Sequence, residues 1–162
     1  MSQPFASPAP SPALPLRAVP LLVMVMACLA QAVIALNPGY FSHDELQWGA
    51  AADVPGWTDL PWFPWTDTSM LQWRPLTFNA WMLLSQALFE SPRAMHSLWV
   101  LMGSALAAGL TWLLMRLGLG WRVAALAGLV VALNPYAAYV HGWVGTLADL
   151  LWVGASLALA AV

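Results

Sequence analysis

Met95-His-Ser-Leu-Trp-Val-Leu-Met-Gly-Ser-Ala-Leu-Ala-Ala-Gly-Leu-Thr-Trp-Leu-Leu-Met115 runs for 21 residues without a charge. As a helix it is about 31 Å long, the thickness of a hydrocarbon core. Gly103, Ser104, Ala105, Ala107, Ala108 and Gly109 fall in its middle. Small residues there let neighbouring backbones approach closely, as helices packed within a bilayer do. The reading of this stretch as a membrane span decides the rest.

Composition agrees with it. The 162-residue chain is 61% hydrophobic and 7% charged, where a soluble domain has about 25% charged residues to cover its surface. This excludes an ordinary cytosolic enzyme and a disordered tail. Five Arg, no Lys and a net charge of −2 exclude a nucleic-acid partner. The single cysteine, Cys28, excludes a disulfide framework and suits packing within a helix. The missing Lys and the lone Ile34 point to a GC-rich, bacterial coding sequence.

Outward from the central stretch, residues 18–36 form an uncharged segment of about 28 Å, closed by Asn37-Pro38-Gly39. It reads as the first span rather than a cleaved signal peptide, because a long Pro-rich segment, residues 1–17, precedes it and more apolar segments follow. Residues 1–17 read as a flexible cytoplasmic tail. After Arg116 to Arg122, a tight connection, Val123–Leu133 opens a third span broken by Asn134-Pro135. Thr146–Val162 reads as a truncated fourth span. Residues 95–162 thus hold spans two to four. The fold class is all-α: a polytopic membrane protein of about four transmembrane helices.

Residues 37–94 differ in kind. Six of the seven carboxylates (Asp44, Glu45, Asp53, Asp59, Asp67, Glu90) and six of the eleven Trp (48, 57, 62, 65, 73, 81) lie here. Acids, Trp and Pro together suit an outer, periplasmic loop resting on the membrane interface, with interfacial helices inside it. Leu76–Phe89 is too short to span, and Asn79, Gln86 and Arg93 recur every seven residues as a polar stripe. Arg17, Arg116 and Arg122 on one side, against Arg74 and Arg93 on the other, put the N-terminus in the cytoplasm.

Several residues carry chemistry. Ser42 and Glu45 have capping-box spacing, with Asp44 in a first helical turn. Asp44 and Trp48, at i and i+4, share a helix face, and a carboxylate beside an indole makes a sugar-binding corner. Asp44 is the first candidate for a base or metal ligand, Glu45 the second. Arg74, ahead of a helix, either snorkels or holds a lipid phosphate. Asp149 sits in an apolar segment and is a functional candidate on that ground. His141 follows the broken third span. His43, His96 and His141 carry no metal-ligand spacing.

Taken in order, these features resemble the C-type, polyprenyl-phosphate-sugar-dependent membrane glycosyltransferases. The nearest branch is that of the protein O-mannosyltransferases and their bacterial relatives. Arg74-Pro75-Leu76 matches that branch's Arg-Pro-Leu element. Asn134-Pro135 stands for its His-Pro, and Ala148-Asp149-Leu150-Leu151 for its Ala-Glu/Asp-Leu-Leu. Residues 18–162 carry the resemblance and correspond to the N-terminal part of the longer family members. The resemblance implies a bacterial inner-membrane enzyme that transfers a sugar from a polyprenyl-phosphate carrier to an extracytoplasmic hydroxyl, the acceptor being unspecified. Asp44 would be the base or would hold a divalent metal, the one cofactor the resemblance leaves open. Arg74 would hold the carrier phosphate, and Trp48, Asp149 and His141 would contact substrate. The competing reading is a non-catalytic membrane module, or the product of a shortened gene, working through a membrane partner.

Overall fold

The computed structural model describes residues 18–40, 43–66 and 74–162. The side chains of His43, Asp44 and Val144 lie outside that description, as do the whole of the 1–17 tail, Ser42, Asp67 and Trp73. The described chain is all-helical: α1 (Ala18–Ala30), α2 (Ala32–Ala35), α3 (His43–Ala52), α4 (Pro75–Leu88), α5 (Pro92–Arg116), α6 (Trp121–Leu133), α7 (Pro135–Gly142) and α8 (Leu147–Ala160). Short 3₁₀ turns at Trp57–Asp59 and Val144–Thr146 complete it.

Among the described residues one helix, α5, is long and apolar enough to cross a membrane, and α6 with α7 passes the same test as a pair bent by 55°. α1 and α8 are apolar but shorter. The first apolar segment is not one unbroken helix as its composition suggests. It is interrupted at Gln31, between α1 and α2. Gln31 is buried there, and its side chain reaches across to the third apolar segment.

α5 is the central post. Val23 and Ala27 of α1, Ala107 of α5 and Ala132 of α6 form a core of small side chains. The glycines set its spacing. Gly128 of α6 lies against Thr111 and the Ala107 carbonyl of α5, with no room for a Cβ. Gly103 of α5 receives the imidazole of His141. A second, bulkier core of Trp81, Met82, Met95, Trp99, Val140, Leu147 and Leu150 joins α4, α5, α7 and α8, with Ala52 and Leu60 of the 37–94 segment packed in. Gly118, at φ +92°, closes the tight connection after α5 in a backbone conformation that favours glycine.

The Asn79, Gln86 and Arg93 stripe has a different use from the one its spacing suggests. Asn79 clamps the Phe63 backbone, accepting from its N–H at 2.7 Å and donating to its carbonyl at 3.0 Å. Gln86 donates to the Val54 carbonyl at 3.2 Å. Arg93 belongs to α5, not to α4. The polar face of α4 therefore holds the preceding chain in place.

One substitution tests the α5–α6 contact. A Cβ at Gly128 would sit 2.9 Å from the Ala107 carbonyl oxygen, a backbone atom that cannot swing aside. Gly128→Val is expected to destabilise the fold by about 1–3 kcal/mol, the cost of overpacking. Denaturant unfolding in detergent micelles measures it, and an unchanged midpoint would contradict the close packing.

Candidate functional site

Two polar centres organise the molecule, and the first is structural. Pro135 has no N–H to offer the Val131 carbonyl, so the third apolar segment must break there. Asn134 Nδ2 donates to that carbonyl instead at 2.6 Å, while its Oδ1 accepts from the Ala137 N–H at 3.0 Å and caps α7. The Ala132 carbonyl accepts from Gln31 Nε2 at 3.1 Å. A carbonyl only accepts, so this bond turns Gln31 Oε1 toward His141, whose Nδ1–H donates to it. His141 is thereby fixed in one tautomer and buried against Gly103. Its sequence assignment was to substrate; the structure places it in the joint between the first and third apolar segments.

Gln31→Leu would remove both bonds and strand a buried carbonyl and a buried ring N–H. The expected loss of stability is about 1–3 kcal/mol. The readout is the unfolding midpoint against wild type, and equal midpoints would show that the bridge contributes nothing.

The second centre is a pocket of about 370 Å³. It is lined by Trp48 of α3, by Arg74, Thr77, Phe78 and Trp81 at the start of α4, and by Trp143, Thr146 and Asp149 around the start of α8. Three residues singled out from separate parts of the sequence, Trp48, Arg74 and Asp149, thus share one cavity. One wall is aromatic: Trp48 lies 4.9 Å from Phe78 and 6.1 Å from Phe63, and Phe63 stacks on Phe78 at 4.7 Å. Arg74 is exposed at the N-cap position of α4, where the helix end adds positive potential. Asp149 is exposed in the first turn of α8, where the positive helix end favours a carboxylate. The indole N–H of Trp143 is buried against Gly145 and has no hydrogen-bond partner among the described residues. The sequence reading missed Trp143; its place two residues after His141, ahead of a glycine, was the available signal. Thr146 holds this turn, donating to the Val140 carbonyl at 2.5 Å.

Asp149 also borders a second cavity, about 240 Å³, whose wall is mainly apolar and includes Leu106, Leu110, Val153 and Leu157. A polar pocket and a greasy cleft therefore adjoin at one carboxylate.

The acidic pair separates. Asp44 is the second residue of α3, and its side chain lies outside the described residues. Glu45 is fully buried near Tyr40. Tyr40 stacks on Phe89, centroids 4.4 Å apart and planes within 5°, and its hydroxyl donates to the Phe89 carbonyl at 2.6 Å. Burial first, and the Glu45 carboxylate second, push the Tyr40 phenol up to about 12 from 10.0. His96 closes the corner with a ring nitrogen 2.9 Å from the Gly39 carbonyl. Among the described residues no three His, Cys, Asp or Glu cluster as a metal-ligand set.

The Trp-rich segment also divides. Trp48 and Trp81 pack against the bulkier core, whereas Trp57, Trp62 and Trp65 are exposed.

Because the folded phenol of Tyr40 ionises later than the unfolded one, its contribution to stability is complete below pH 10 and is lost between pH 10 and about 12. Absorbance at 295 nm should show one of the three tyrosines titrating near 12. Tyr40→Phe should remove that step; its persistence in the variant would reassign it.

No protein-family model matches the chain, and none of the curated proteins or solved structures compared with it does.

Proposed function

We propose that this chain is the N-terminal portion of an integral membrane glycosyltransferase that moves a sugar from a polyprenyl-phosphate carrier to an extracytoplasmic hydroxyl. In this reading the bundle crosses a bacterial inner membrane about four times, through α1 with α2, α5, the bent pair α6 with α7, and α8. The N-terminus is cytoplasmic, and the 37–94 segment is outside. The observation that carries the proposal is the shared pocket of Trp48, Arg74, Trp143 and Asp149, joined at Asp149 to an apolar cleft. A polyprenyl-phosphate sugar has three chemically distinct parts, and this arrangement offers a partner to each. The guanidinium of Arg74 pairs with the phosphate. Indoles and Asp149 suit the sugar's faces and hydroxyls. The cleft suits the isoprenoid.

The chemistry is a single displacement with inversion. The acceptor hydroxyl attacks the anomeric carbon as the bond from that carbon to the carrier phosphate oxygen breaks. The leaving group departs as polyprenyl phosphate, its charge neutralised by Arg74. Asp44 takes the hydroxyl proton as general base. Glu45 is buried, and the base is assigned to Asp44, the first candidate of the pair.

The test is binding and turnover of the membrane-embedded protein. In nanodiscs, undecaprenyl phosphate should bind saturably and undecaprenol weakly. Arg74→Gln should weaken the phosphate form about tenfold or more, the worth of one charge-assisted contact. In native membranes Asp44→Asn should keep carrier binding and lose transfer. Equal affinity for the phosphate and the alcohol, or near-normal turnover of the Asp44 variant, would sink the assignment.

A further inference from the structure

A separate cavity of about 290 Å³ opens between the C-terminal half of α3 and the C-terminal end of α4, lined by Asp53, Ser85, Gln86 and Glu90 among others. It shares no lining residue with the pocket of Trp48 and Arg74. Its polar groups are nearly all hydrogen-bond acceptors. Asp53 and Glu90 are exposed carboxylates that make no ion pair among the described residues. Gln86 donates one of its two amide N–H groups to the Val54 carbonyl, and its Oε1 is an acceptor. Ser85 is 2% exposed, and its hydroxyl has no hydrogen-bond partner among the described residues. A helical serine commonly bonds back to the carbonyl one turn earlier; Ser85 does not, and it stands in the cavity wall. The end of α4 adds its own negative potential, with no basic residue in the last turn to offset it.

We propose that this cavity binds an organic cation, an alkylammonium group of the kind a lysine side chain carries. An ammonium brings three N–H donors and no acceptor, the complement of a wall of two carboxylates, an amide oxygen and an unpartnered hydroxyl. The half-apolar lining, through Leu46, Ala50 and Val54, accommodates the methylenes behind the charge. The site does not depend on the sugar-transfer reading.

The experiment titrates the full chain in nanodiscs with N-acetyl-lysine methylamide and, in parallel, its uncharged analogue N-acetyl-norleucine methylamide, followed by saturation-transfer NMR. The lysine derivative should bind at least tenfold more tightly than the norleucine one. Asp53→Asn combined with Glu90→Gln should erase that difference. Ser85→Ala, a near-isosteric change, should weaken the lysine derivative severalfold and leave the norleucine one unmoved. Equal binding of the two derivatives overturns the proposal, as does an unchanged affinity in both variants. Displacement of the lysine derivative by micromolar calcium chloride overturns it in favour of a metal site.

Discussion

The bridge from Gln31 to Ala132 and His141 is the constraint on which the architecture rests. Pro135 forces a break in an apolar segment, and a break frees backbone carbonyls that the interior cannot leave unpaired. Asn134 satisfies one of them and Gln31 the next. Gln31 does so from the interruption between α1 and α2 in the first apolar segment. The two breaks meet beside α5, where Gly103 leaves space for the imidazole that completes the bridge. Two irregular segments are thus tied at one level by groups that each need the other.

That tie fixes the geometry beyond it. α7 leaves the bend at 55° to α6, and the turn after α7 carries Trp143 back over Gly145. Thr146 pins the turn, and α8 starts with Asp149 in its first turn. The opposite wall is set separately, by the aromatic stack of Trp48, Phe63 and Phe78 and by the Asn79 clamp on Phe63. The pocket lies where these two independently held surfaces meet. Each wall owes its position to hydrogen bonds between residues far apart in sequence.

This explains what could be read from the sequence and what could not. Local signals were legible: the uncharged run of α5, the small residues along it, the Asn-Pro break, and the short helix after Arg74 that begins with Pro75. Each depends on composition or on one proline. The long-range partners were not legible. Nothing near Gln31 announces that its amide meets residue 132, and a glutamine in an apolar run looks like a blemish rather than a joint. The heptad spacing of Asn79, Gln86 and Arg93 was real, but periodicity gives a face and not what the face touches. For the site, residue type picked out Arg74, Asp149 and Trp48 because a charge or an indole in such surroundings needs a reason. Trp143 escaped because one more tryptophan among eleven carries no such contrast.

α4 connects the two cavities and polarises them in opposite senses. Its N-terminal end, with Arg74 and Thr77, faces the pocket of Trp48 and Asp149; its C-terminal end, with Ser85 and Gln86, walls the acceptor-rich cavity. A helix presents about half a positive charge at its first turn and half a negative charge at its last. Here the side chains reinforce that field at both ends: a guanidinium at the start, and carboxylates of neighbouring segments at the finish. Placing the charges the other way round would oppose the helix at both sites. Since Asn79, midway along α4, also clamps the preceding chain, one 14-residue helix sets the position and the sign of both cavities. A displacement of α4 along its axis would alter the two cavities together, because both are walled by this single element.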